Sequence, residues 1–186
     1  NQDVRKAGFG GIDKYKKFET FNSTDLLIDI SKKADQMIKK LSIQSKSFDD
    51  LIKLAKDYNN KIQCIPAIQP VSNKDLSRIS SGFGHRIDPH YGIRKMHTGT
   101  DFAAPRGTPV YATGNGKVIK AESKSRSGYG KNIIIDHGYS YKTQYAHLNR
   151  LAVRLGQTVK RGELIGYVGS TGKSTSPHLH YEVRIN

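Results

Sequence analysis

The 186 residues suffice for one ordinary domain of about 100–150 residues plus an extension. Hydrophobic residues make up 35%, and no apolar run approaches the roughly 18 residues a bilayer span needs. Lysine and arginine number 31 against 16 acidic side chains, a net charge of +15, while Cys64 as the single cysteine excludes an internal disulfide framework and a cysteine-rich metal site. The charge is uneven: residues 1–77 hold 14 basic and 10 acidic side chains, and residues 78–186 hold 17 and 6, a net of +11. Such a field favours a polyanionic surface, either a cell-wall polymer or anionic lipid. Nucleic acid is not expected, because the basic residues are scattered singly, without an RNP-like aromatic pattern, zinc finger or helix-turn-helix signature. Residue 1 is Asn and no signal peptide follows it, so an address is expected upstream. Cys64, beside Ile62 and Ile65, reads as a small apolar residue rather than a reactive thiol.

The first predicted element is helical. From Thr24 to Tyr58 there is neither Gly nor Pro, and Leu27, Ile30, Ala34, Met37/Ile38, Leu41, Phe48, Ile52 and Ala55 recur at three- and four-residue steps. Ser23, Thr24 and Asp25 are N-cap candidates. Ser47 with Asp50 resembles a capping box and slightly favours a break into two helices. The Leu26–Ala55 stripe must be buried against a second copy, another protein or the rest of the chain. Packing within the chain or dimerisation is favoured over an inhibitory role. Pro66 and Pro70 then mark residues 66–79 as an extended linker after a helical segment 1–65.

Beyond it, glycine becomes frequent and short β-prone runs alternate with turns. Val110–Thr113 and Lys117–Ala121 flank Gly114-Asn115-Gly116, a hairpin signal. Asn132–Asp136 and Tyr141–His147 flank a turn at His137-Gly138, and Leu164–Val168 and Leu179–Ile185 read as further strands. Residues 80–186 are therefore expected to be a mainly antiparallel β domain, sandwich or partly closed barrel, behind an N-terminal α-helical segment.

All seven histidines lie after residue 84. His97 and Asp101 form H-x-x-x-D. Gly99 and its flanking threonines argue for extended chain, where even spacing places both side chains on one face. His178-Leu179-His180 obeys the same parity, and His147 stands near a strand end. Two histidines and one carboxylate make a hydrolytic zinc site with an open position for water, whereas closed structural sites use four protein ligands. With a single cysteine, nitrogen- and oxygen-ligated zinc is the metal reading. His90 and His137 fall in turns and are expected to be solvated.

From Ser80 to Ile185 the chain resembles the lysostaphin/LytM-type zinc endopeptidases of bacterial cell-wall metabolism. The matching stretches are Ser81–Pro89, His97–Pro105, Tyr145–Leu148 and Gly169–Gly172, running into Pro177–Val183. The resemblance implies a lysostaphin-like β fold, zinc held by His97, Asp101 and His180, and catalytic roles for His147 and His178. It further implies a peptidoglycan substrate, with D,D-cross-links preferred over a glycyl-glycine bridge, and a place in the cell envelope or periplasm, with a membrane anchor in a missing upstream segment. Arg86 and Asp88, where the family's groove begins, are candidates for substrate contact, with a salt link between them an equal alternative. Ser176 stands where the family usually has Gly, and the role of His85 is open. Two rival readings are weaker. A non-catalytic relative that activates amidases typically lacks zinc ligands, whereas all five positions are intact here. The Val153–Gly172 run resembles biotinyl/lipoyl carriers but lacks their lysine context.

Overall fold

The computed structural model describes residues 24–88 and 91–185. Ser23 and His90, singled out above, lie outside the described residues. One helix, α1 (Thr24–Cys64), comes first. It is a single uninterrupted element of 41 residues, so the capping-box signal at Ser47 and Asp50 does not break it. The polar Ser42–Ser47 stretch contains no Gly or Pro, and its weaker propensities cost only tenths of a kcal/mol per residue. A break would instead orphan four N–H and four C=O groups. Asp25 in the first turn and Lys61 in the last complement the helix dipole, and Pro66 follows its end.

The chain divides into two units after Tyr58. In the first, the stripe of α1 is exposed: Ile30 is 53%, Leu41 65% and Phe48 55% exposed. The second unit begins with the last turn of α1. There Arg161 donates to the carbonyl oxygens of Ile62 and, at 3.0 Å, Ile65, and the Asn115 N–H donates to Gln63 O at 2.9 Å. Residues 66–77 do not run as a free spacer. The Ala67 N–H donates to Thr113 O, the Tyr111 N–H donates to Pro70 O, and Val71 is 1% exposed within the core.

Twelve strands follow among the described residues: β1 (Arg78–Ser81), β2 (Gly84–Ile87), β3 (Arg94–His97), β4 (Thr100–Ala103), β5 (Pro109–Tyr111), β6 (Gly116–Glu122), β7 (Asn132–Gly138), β8 (Tyr141–Ala146), β9 (Arg150–Leu151), β10 (Thr158–Val159), β11 (Leu164–Tyr167) and β12 (His178–Ile185). A seven-stranded sheet runs β1-β4-β12-β8-β7-β6-β10, a three-stranded sheet β5-β11-β9, and β2 pairs with β3 alone. The pairings are antiparallel, as expected. Alternation fills the core from both larger sheets: Ile133, Ile135, Tyr145 and Leu179 from the first, Val110 and Ile165 from the second, each fully buried. Each such aliphatic side chain contributes roughly 1.5–3 kcal/mol of transfer free energy.

The Gly114-Asn115-Gly116 hairpin does not form. β5 pairs with β11, while β6 pairs with β7 and β10, so this passage carries the chain from one sheet to the other. The glycines answer close approach instead: a Cβ on Gly114 would lie 2.6 Å from the Cys64 carbonyl oxygen. The β7–β8 hairpin does form. His137, expected to be solvated, is 3% exposed. Its Nδ1–H donates to Asn115 O at 2.8 Å, and its Nε2 lies 2.7 Å from the Thr143 hydroxyl. The parity of β7 turns it inward with Ile133 and Ile135 and so overrides the local turn signal.

Candidate metal centre and active site

Register assembles the site. β12 lies between β4 and β8, with His180 directly opposite Asp101 on one side and Ala146 on the other. His178 and His180 share one face of β12, as their parity predicts, and Leu179 points into the core. His97 ends β3 and Asp101 lies in β4, so the two occupy successive strands rather than one. Between them Gly99 passes so close to β12 that a Cβ would meet the Tyr181 carbonyl oxygen and come within 3.0 Å of His180 Cε1. Only glycine lets the β3–β4 connection bring His97 against Asp101.

Three atoms converge. His97 Nε2 lies 3.1 Å from Asp101 Oδ1, His180 Nδ1 lies 2.8 Å from the same oxygen, and the two nitrogens are 3.0 Å apart. The remaining ring nitrogens are engaged elsewhere. His97 Nδ1 donates to Gly82 O at 2.7 Å, and His180 Nε2 donates to Glu182 Oε1 at 2.9 Å. In the neutral imidazoles both inward nitrogens are therefore lone-pair donors facing a carboxylate oxygen. Three acceptors within about 3 Å of each other repel unless a cation sits among them, and an N₂O set of this kind suits zinc with a fourth position for water. Burial alone would raise the Asp101 pKa. When the histidines are protonated instead, the hydrogen bond from His180 and the charges of His97, His178 and His180 outweigh it and hold Asp101 at about 2.

Two further histidines border this cluster. His147 follows β8 in a left-handed conformation, φ 61°, uncommon for a residue with a side chain. It is held there by its N–H donating to Tyr129 O and its Nδ1 donating to Thr171 O at 2.7 Å. Thr171 is itself tied down, its hydroxyl donating to Leu148 O and accepting from the Lys131 N–H. His178 donates from Nδ1 to Ser176 O at 2.8 Å, and its Nε2 stands 3.8 Å from Asp101 Oδ1. The two rings are 4.8 Å apart, centre to centre. Both present Nε2 to the same space. Burial, reinforced by the charges of His178 and His180, lowers His147 to about 4, so its imidazole is neutral at ordinary pH.

The cluster opens into a cleft of about 530 Å³. Arg86 and Asp88 line it, but not as a salt link with each other. Arg86 pairs with Asp101 Oδ2 at 3.0 Å, and Asp88 with Lys173 at 3.1 Å. Lys173 Nζ also stands 3.6 Å over the Tyr91 ring. Ser176 lines the same cleft, whereas His85 is exposed on β2.

Glu182 carries the largest share of what sequence reasoning left unassigned. It is 2% exposed and accepts from Thr98 Oγ1 at 2.5 Å, Tyr129 OH at 2.8 Å and His180 Nε2, while Arg184 pairs with its other oxygen at 2.7 Å. These donors overcome the burial that would raise its pKa and hold Glu182 at about 2. Its signal was present in the sequence: it shares the two-residue parity of His178 and His180 on β12.

Residues 95–186 match Peptidase family M23. Over 110 residues the chain is 50% identical to the DD-carboxypeptidase/endopeptidase Mpg of Neisseria meningitidis serogroup B, covering 59% of this chain and 25% of that protein. The chain thus spans about a quarter of the length of that curated relative. A zinc containing peptidase from Vibrio cholerae superposes with a TM-score of 0.57 at 45% identity, covering 62% of this chain and 35% of that one. The catalytic domain of the antimicrobial peptidase lysostaphin from Staphylococcus simulans does so with a TM-score of 0.54 at 36% identity, covering 61% of this chain and 83% of that one.

Proposed function

Because the chain belongs to peptidase family M23, we propose that it is a zinc-dependent endopeptidase hydrolysing peptide bonds in peptidoglycan, the D,D-bonds of cross-links in preference. The observation that carries this reading is the convergence of His97 Nε2, Asp101 Oδ1 and His180 Nδ1 with their other nitrogens already donating elsewhere. The zinc containing peptidase and the relative named a DD-carboxypeptidase/endopeptidase support the choice of metal and bond.

His97, Asp101 and His180 would hold the metal. Bound zinc supplies a Lewis acid for the scissile carbonyl and lowers the pKa of the attacking water toward ~7. The rest is done by the chain. Thr171 O fixes the tautomer of His147 so that Nε2 carries the lone pair, and Ser176 O does the same for His178. Either Nε2 can take the water proton, and the imidazolium so formed faces the oxyanion that develops on the carbonyl oxygen and can pass the proton to the departing amine nitrogen. Glu182 is a positioning residue: by accepting from His180 Nε2 it keeps Nδ1 unprotonated toward the metal position. Arg86 and Asp88, on the cleft wall, are assigned to substrate contact.

A peptidoglycan substrate places the protein in the bacterial cell envelope, and among the described residues no helix is long and apolar enough to cross a membrane. The net charge of +11 on residues 78–186 suits attraction to the wall or to anionic lipid. Elemental analysis combined with mass spectrometry of digests of defined muropeptides tests the reading. One zinc per chain and cleavage of D,D-cross-links are expected. Zinc without any cleavage would point to a binding role, cleavage of glycyl-glycine bridges alone would reassign the bond, and failure to take up zinc on reconstitution would overturn the proposal.

A further inference from the structure

The exposed face of α1 has a stricter order than amphipathicity requires. From Leu27 the seam runs in alternating three- and four-residue steps through Ile30, Ala34, Met37 and Leu41 to Gln44, then through Phe48, Leu51 and Ala55 to Tyr58. That is a 3.5-residue period sustained over more than four heptads, on a helix without a break. Its apolar members are not buried: Leu27 is 36% exposed, Met37 64%, Leu51 56% and Tyr58 64%.

The period restricts the partner. On a straight helix a heptad seam drifts by about 20° per repeat, so over this length a flat protein or lipid surface loses it. Only another helix with the same repeat, wound about it in a left-handed supercoil, follows the seam to its end. We propose that α1 pairs with α1 of a second copy of this chain as a parallel, in-register, two-stranded coiled coil.

Gln44 selects the copy and the direction. It is the single polar residue of the seam. In a parallel, in-register pair Gln44 meets Gln44, and each amide offers the other a donor and an acceptor. In an antiparallel pair the layers alternate, and Gln44 is set against Leu41 or Phe48 with its amide unsatisfied. The flanks agree. In the parallel arrangement Lys33 lies against Ile38 of the second copy, Lys40 against Ser45, and Ser47 against Ile52. No like charges oppose one another, and the lysine stems cover apolar surface. Ten seam residues with eight flanking ones per helix approach the roughly 20 residues a side of a stable interface.

Sedimentation analysis of the whole chain tests the pairing, and its single native cysteine reports the direction. A concentration-dependent dimer is expected. Spin labels on Cys64 of the two copies should lie within about 30 Å in the parallel pair, against about 60 Å for an antiparallel pair centred on Gln44. The double substitution Leu41→Asp with Leu51→Asp should weaken association by ~100-fold or more while leaving zinc content unchanged, which shows that the β unit stays folded. Gln44→Leu should keep the association but broaden the label distances, since the register device is gone. A monomer at about 100 μM, a trimer, or a single distance near 60 Å would each overturn the proposal.

Discussion

At the residue scale, two of the four histidines at the site are predicted to act on the reaction without holding metal. His147→Ala and His178→Ala should retain zinc by elemental analysis and lose hydrolysis rate by ~100-fold or more. Near-normal rates with metal in place would remove the residue concerned from the mechanism. Glu182 is separable from them by a binding readout. Glu182→Gln keeps the shape but removes the charge that orients His180, and zinc affinity measured by chelator competition should fall ~10–100-fold. His137 gives a pH signature away from the site. Burial lowers its pKa below the usual 6.5, so the folded protein resists a proton that the unfolded chain accepts. The neutral form is stabilising above pH 6.5, and that contribution is lost as pH falls from there toward the folded-state pKa. Urea unfolding as a function of pH should show the loss, and His137→Gln should flatten it across that window.

At the scale of elements, β12 does most of the assembly, because both of its neighbours bring a site residue to it: β4 offers Asp101 opposite His180, and β8 leads into His147. A one-residue slip of β12 would send His178 and His180 to the core face and Leu179 to the cleft. At the junction after α1 one side chain reinforces the backbone hydrogen bonds. Arg161 donates to the carbonyls of Ile62 and Ile65, groups at the helix end that have no intrahelical partner. Charge-assisted bonds of this kind are worth about 1.5–3 kcal/mol, so Arg161→Ala should lower unfolding free energy by roughly that amount in urea titrations. An unchanged midpoint would show that the junction is held by the backbone bonds of Ala67, Tyr111 and Asn115 alone.

At the scale of the whole molecule, the +11 of residues 78–186 acts at long range and is screened within about 8 Å at physiological ionic strength. Binding to isolated sacculi should therefore weaken markedly between low and high salt. The cleavage pattern on soluble muropeptides should not change, because the cleft and not the field chooses the bond. Salt-independent sacculus binding would assign retention to short-range contacts instead.

The inward pair on β12 and the β character of the second half were legible in the residues, because H-x-H places both imidazoles on one face by parity, a property that needs no tertiary contact, whereas His97 and Asp101 meet across two successive strands that Gly99 lets turn against β12. The uninterrupted α1 was half legible: its period was plain, but a capping-box pattern competed with it, and backbone hydrogen bonding favoured continuity. Three features waited for the fold. The Gly114-Asn115-Gly116 passage joins two sheets because its glycines are required by the approach of the Cys64 carbonyl, a contact between residues far apart in the chain. Arg86 and Asp88 parted to Asp101 and Lys173 because partners of a charge are set by distance in space. The carbonyls of Gly82, Thr171 and Ser176, which hold the tautomers of three of the histidines, belong to the backbone and leave no trace in residue identity. Side-chain chemistry and its periodicity were written in the sequence, whereas hydrogen bonding from the main chain and pairing across distant strands were decided only when the sheets closed.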